Sequence, residues 1–197
     1  LINLESLRKK SLINSGINGF EVDYAKGFEF ATRAANEGNE FGIFHLGRCY
    51  RMGCGVAKDY AAALIWYERC KDKYLVASSN NIGNLYCEGG YGVPQDCNKA
   101  VEFYRKAADL DCVLGAYNLG IMYYDGKGLE QSFVEARKLF KKAADKNSAD
   151  AQYELGRMMI EGEGGEENVL EGMALTDKAV KQGNEYAKTA IAKLKAS

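Results

Sequence analysis

The sequence predicts an all-α chain, a solenoid of stacked helical hairpins, and three periodic observations carry that expectation. A glycine following an apolar residue returns at Gly47, Gly83, Gly120 and Gly156, in LGRCY, IGNLY, LGIMY and LGRMM, at spacings of 36, 37 and 36 residues. Paired glycines follow in step at Gly53/Gly55, Gly89/Gly92, Gly126/Gly128 and Gly162/Gly164; the Gly89/Gly92 pair holds the extra residue behind the spacing of 37. Beyond each pair comes a stripe at i, i+3 and i+7: small at Gly27, Ala63, Ala100, Ala136 and Gly172, large at Phe30, Trp66, Phe103, Leu139 and Leu175, small again at Ala34, Cys70, Ala107, Ala143 and Ala179. That spacing is one face of a helix.

Each element has its own justification. The glycine of the LG pair lets a neighbouring helix approach closely, and the G-x-G pair supplies the backbone freedom for a tight reversal between antiparallel helices. Asp23, Asp59, Asp96, Ser132 and Asn168 each precede a stripe and carry a side-chain oxygen suited to cap the second helix of a hairpin. A single hairpin cannot bury its own stripe, so copies must stack. Units are expected at 4–39, 40–76, 77–113, 114–149 and 150–185, with 186–196 as a closing helix that places Ala187, Ile191 and Leu194 on one side. The outer units deviate as ends facing water should. Ser11 stands where the LG glycine belongs, Asn14 replaces the tyrosine of Tyr50, Tyr86 and Tyr123, and Met159 and Thr176 depart from the pattern in the fifth unit.

Composition excludes several function classes. The chain has 197 residues, 47% hydrophobic and 27% charged, with 26 basic against 27 acidic side chains and a net charge of −1. Such a balance gives no electrostatic case for nucleic acid. No run approaches the roughly 18 apolar residues of a membrane span, so no membrane insertion is expected. The chain opens LINLES without Met, so an upstream piece is expected to have been trimmed or processed. The cytoplasm is the favoured location; a secreted, periplasmic or luminal setting follows if a signal was removed.

The residues A-x-x-x-L-G-x-x-Y-x-x-G-x-G-V-x-x-D-x-x-x-A-x-x-W-Y-x-x-A-A resemble the Sel-1-like repeat, a relative of the tetratricopeptide repeat. The resemblance covers nearly the whole chain and is densest in FGIFHLGRCYRMGCGVAKDYAAALIWYERC and IGNLYCEGGYGVPQDCNKAVEFYRKAA. It implies a right-handed superhelical scaffold that binds other proteins, without cofactor or catalysis, as adaptors in quality control, cell-wall synthesis, signalling and host contact do. Two alternatives stay beside it: an inhibitor or immunity protein for a secreted toxin, and, less favoured, a hydrolase or β-lactam-binding repeat protein.

By analogy with tetratricopeptide geometry, partner-binding positions lie three before, one after and four after the LG glycine. They are Phe44, Arg48 and Arg51; Asn80, Asn84 and Cys87; Tyr117, Ile121 and Tyr124; and Tyr153, Arg157 and Ile160. Arginine clamps carboxylates and tyrosine supplies amphipathic contact area. The expected ligand is therefore a protein or peptide with an acidic element near Arg48 and Arg51 and apolar side chains over Tyr117, Ile121 and Tyr124, bound by a monomer or weak oligomer.

Chemistry-bearing residues offer little else. His45, the only histidine, stands one turn before Cys49, with Cys54 following, but no fourth zinc ligand or orienting acid accompanies them, so no metal site and no nucleophile pair is expected. The loop EGEGGEEN (161–168) lacks the alternating ligands of a calcium loop. A subgroup of the resembled family staples each repeat at positions held here by Ala108 and Ala116, so that disulfide pattern is absent. Cys49 and Cys70 read as small buried hydrophobes. Cys87 and Cys97 flank one reversal and are candidates for a bridge in an oxidising compartment.

Overall fold

A computed structural model of the chain describes residues 23–196, with side chains described to residue 192. The first helix expected in unit 4–39, with Ser11 and Asn14, lies outside the described residues, as does the side chain of Leu194. Regular structure among the described residues is helical, apart from an isolated antiparallel bridge between Gly90 and Val93. The chain divides between Gln95 and Asp96 into two compact units.

In the first unit, helix α1 (Tyr24–Asn36) starts at Asp23, whose carboxylate accepts from the Lys26 N–H at 2.9 Å. Helix α2 (Glu40–Met52) is capped by Asn39, and α3 (Tyr60–Glu68) by Asp59, which accepts from the Ala62 N–H at 2.8 Å. Helix α4 (Asp72–Glu88) has no side-chain cap at Lys71. The α2–α3 hairpin closes on Gly47, where a Cβ would stand 2.8 Å from the Tyr67 ring. Glycine therefore lets an aromatic ring come directly against the facing helix. Ala31, Ala35, Ile43, Leu46, Cys49 and Cys70 form the core here, so both cysteines are buried as read from the sequence.

Helix α3 is short at 9 residues and α4 long at 17. The cause is local. Ala35, Ala108 and Ala144 are buried at the second small position of their stripes, and Lys71 stands there in this repeat, exposed. A lysine cannot enter a site shaped for a methyl group without burying its charge. The helix stops early, and the chain restarts at Asp72 with φ of 39°.

In the second unit, α5 (Cys97–Asp109), α7 (Phe133–Asp145) and α9 (Val169–Lys181) begin at Asp96, Ser132 and Asn168, each of which caps its helix as expected. Helices α6 (Val113–Asp125) and α8 (Ala149–Glu161) start from Cys112 and Ser148; the cysteine accepts through Sγ from the Gly115 N–H at 3.4 Å. Helix α10 (Glu185–Ala196) follows Asn184, which accepts from the Ala187 N–H at 2.7 Å. Phe140 and Met158 are fully buried, and the Phe140 ring lies on Gly120 as Tyr67 lies on Gly47.

Successive hairpins are joined by a second device. Gly164 has φ of 70°, and a Cβ there would stand 2.2 Å from the Phe133 carbonyl oxygen, at the start of the preceding hairpin's second helix. Only a glycine fits both demands, the left-handed backbone and the contact with another backbone. The reversal loop of one repeat thus packs against the previous one.

Candidate partner-binding face

The first helix of each hairpin presents the residues assigned to binding, and the units differ in what those residues do. In the first unit, Phe44 turns inward: its ring stacks on Tyr74 at 5.1 Å and 26° and meets Tyr67 at 5.8 Å. Asn80 is buried, and Asn84 and Cys87 are half-buried on α4. Arg48 is exposed and makes no ion pair among the described residues. Arg51, half-buried, reaches across to α4, with Nη1 3.4 Å from Asn81 Oδ1 and Nη2 3.5 Å from Glu88 Oε1. Tyr60 donates to the other oxygen of Glu88 at 2.6 Å, and this bond, with burial, pushes the phenol up to about 12. Glu88 and Tyr60 were not among the sequence candidates. An Arg on the first helix of one repeat and a Glu on the first helix of the next, 37 residues apart, was the available signal, close to one repeat period.

In the second unit, Tyr117 packs on Phe140 at 5.7 Å, and burial raises its phenol to about 12. Ile121 is half-buried on the same helix. Tyr153 stacks on Tyr186 at 6.3 Å and 20°, and Ile160 packs at Gly172, where a Cβ would stand 2.7 Å from Ile160 Cγ1. Tyr124 and Arg157 come together. The guanidinium sits 4.8 Å from the centre of the Tyr124 ring and donates to the Tyr124 hydroxyl at 3.2 Å, while that hydroxyl donates to Glu163 at 3.0 Å. Arg157 also pairs with Glu154 at 3.3 Å, Glu161 at 2.7 Å and Glu163 at 3.1 Å. Its charge is spent within the protein. The acidic loop is likewise anchored: Arg137 donates to the Glu163 and Glu166 carbonyls at 3.2 and 2.8 Å.

Nucleophile chemistry finds poor conditions at His45. Burial, aided by the charge of Arg48, brings its pKa down to about 4, and burial pushes the Cys49 thiol up to about 11. A thiolate–imidazolium pair requires the opposite shifts. His45 instead lies with its ring 4.0 Å from that of Phe41. Among the described residues no group of three His, Cys, Asp or Glu side chains is placed to hold a metal ion, and no helix is long and apolar enough to cross a membrane. Cys87 and Cys97, the candidates for a bridge under oxidation, are both half-buried.

Capped helical hairpins repeating every 36 or 37 residues define a helical-repeat protein of the α-solenoid class. The Sel1 repeat model matches residues 13–39, 41–69, 76–112, 113–148 and 149–184, and the chain belongs to that family. The family generally mediates protein–protein interaction, and its members are mostly non-catalytic adaptors and scaffolds.

Three similarities are informative. The ERAD-associated E3 ubiquitin-protein ligase component HRD3B of Arabidopsis thaliana is 33% identical over 106 residues, 53% of this chain but 16% of that protein. The crystal structure of c5321, a protective antigen of uropathogenic Escherichia coli with an SLR fold, matches 95% of this chain and 40% of its own at 31% identity and a TM-score of 0.77. A Sel1 repeat protein from Oxalobacter formigenes matches 96% of this chain and 77% of its own with a TM-score of 0.85; at 24% identity that likeness bears on the fold alone.

Proposed function

We propose that the chain is a non-enzymatic interaction scaffold that takes a partner protein or peptide on the face built by α2 and α4, reading an acidic element at Arg48 and Arg51. The observation that carries this reading is the state of Arg48, an exposed cation with no ion pair among the described residues. Nearby on α2, Arg51 reaches Asn81 and Glu88 at 3.4 and 3.5 Å. An exposed guanidinium such as that of Arg48 is suited to bidentate bonds with a carboxylate. The similarity to an ERAD-associated ligase component fits a scaffold but does not choose a partner, because the chain spans only 16% of that protein.

The test is affinity capture with mass spectrometry, comparing the wild type with Arg48→Glu/Arg51→Glu after circular dichroism shows equal helicity. A protein captured by the wild type and lost by the variant is the expected result. Equal capture by both would overturn the assignment to this face.

A further inference from the structure

The last turn of α2 ends on a pair of cysteines. Gly53 adopts the left-handed conformation, with φ of 74° and ψ of 33°, and the N–H groups of Gly53 and Cys54 both donate to the Cys49 carbonyl, at 2.8 and 3.0 Å. Residues at the two ends of such a closure commonly bring their side chains together. The same closure ends α6, where Lys127 N–H donates to the Met122 carbonyl at 3.0 Å, and α8, where Glu163 N–H donates to the Met158 carbonyl at 2.9 Å. Of these three, the closure of α2 alone has a thiol at each end. The two side chains share one environment: Cys49 belongs to the core cluster with Ile43, Leu46 and Cys70, and Cys54, half-buried, packs against that cluster. Standard bond lengths on either side of the 3.0 Å hydrogen bond hold the two Cα atoms no more than about 7 Å apart, a bound reached only with the atoms in line. That is within the separation a disulfide can join without moving the backbone.

We propose that Cys49 and Cys54 are a redox site, forming a reversible disulfide that staples the end of α2 to its reversal loop. The oxidant is a low-molecular-weight disulfide such as oxidised glutathione. Cys54 is the more accessible sulfur, and burial pushes the Cys49 thiol up to about 11, so Cys54 attacks first. Its thiolate bonds to one sulfur of the oxidant, whose S–S bond breaks and releases one glutathione thiolate. Cys49 then loses its proton, its sulfur attacks Cys54 Sγ, and the second glutathione thiolate leaves. Two cysteines give up two electrons and two protons; the oxidant takes the electrons, and its two thiolates take the protons. Cys70 shares the cluster, but its thiol donates to the Trp66 carbonyl at 3.7 Å, and among the described residues no backbone bond ties it to Cys49 or Cys54. The bridge encloses Arg51 and fixes the loop whose Gly55 lies against the Tyr24 carbonyl of α1.

Peptide mapping reads the bridge directly, because trypsin cleaves after Arg48, Arg51 and Lys58 and leaves the two cysteines in separate peptides, CYR and MGCGVAK. The intact folded chain is equilibrated with mixtures of oxidised and reduced glutathione, its remaining thiols are blocked with N-ethylmaleimide in denaturant, and it is digested without reductant. The expected product is CYR joined to MGCGVAK, lost on treatment with dithiothreitol. The equilibrium constant for bridging should be about tenfold larger in the folded chain than in urea, and the oxidised chain should melt about 5 °C above the reduced one. Cys54→Ser, a small change at a half-buried position, should fold with the helicity of the reduced wild type and show neither the linked peptide nor the rise in melting temperature. Four results would each overturn the proposal: both thiols free after equilibration; glutathione held on MGCGVAK while CYR is blocked by N-ethylmaleimide; CYR joined instead to CK, the peptide of Cys70; or bridging no more favourable in the folded chain than in urea.

Discussion

Arg48 and Arg157 hold the same place in their repeats, one residue after Gly47 and Gly156, yet they meet opposite surroundings. Around Arg157, the residues three before, four after and six after are Glu154, Glu161 and Glu163, all paired with it. Around Arg48 the matching residues are His45, Met52 and Cys54. None of these carries a negative charge, and His45 is held neutral by its burial. The repeat fixes where an arginine stands; its neighbours decide whether the charge remains available to a ligand. One arginine has become a structural fastener, and the other is exposed.

The largest expected effect breaks the fastener. Arg157→Ala leaves Glu154, whose pKa burial already raises, in its half-buried site without the cation that favours its charge. Removing one partner of a partly buried pair costs more than the pair contributes, so the loss should be about 3 kcal/mol in urea denaturation at pH 7. A raised carboxyl pKa means that the folded state binds the proton more tightly than the unfolded chain, so the penalty should shrink as pH falls toward the carboxylate range. A variant as stable as the wild type would place Arg157 with the exposed arginines.

A smaller effect concerns the neutral neighbour of Arg48. His45 titrates at about 4 in the folded chain against 6.5 unfolded, so its contribution is complete above pH 6.5 and is lost as pH falls through 4. Below that range a second cation would stand beside Arg48. Allowing for partial exposure, wild type should lose roughly 2 kcal/mol more than His45→Phe between pH 7 and pH 4. Parallel acid profiles for the two proteins would show that the imidazole is not desolvated.

Much of this was legible in the sequence, and the limits have physical causes. The hairpins follow from the glycine period, and the caps at Asp23, Asp59, Asp96, Ser132 and Asn168 follow from residue type and place. The first-helix caps Asn39, Cys112, Ser148 and Asn184 also recur in step with the repeat, but they escaped because the glycine pairs and the stripe mark the second helices. The early end of α3 was signalled by Lys71 in a line of small residues. Binding positions were set by analogy and treated as equivalent, although spacing already carried the difference: Glu154 and Glu161, three before and four after Arg157, are the distances at which helical side chains meet. The Tyr67 hydroxyl, buried without a partner among the described residues, could not be read this way, since a tyrosine at a core position normally finds a partner for its O–H.

The smallest expected change in stability gives the sharpest test of the comparison. Met52→Glu/Cys54→Glu rebuilds around Arg48 two of the three carboxylates that surround Arg157. Met52 lies four residues on, the favourable helical spacing, although an arginine preceding its acid is the weaker orientation. Both positions are accessible, Met52 at 54% exposure and Cys54 half-buried, so the new pairs should add only a few tenths of a kcal/mol. Their effect on function should be much larger. If Arg48 reads a partner because its charge is unspent, the doubly substituted chain should melt within a degree or two of wild type and yet lose the captured partner as Arg48→Glu/Arg51→Glu does. Retained capture would mean that the availability of the Arg48 charge is not what distinguishes this face from that of Arg157.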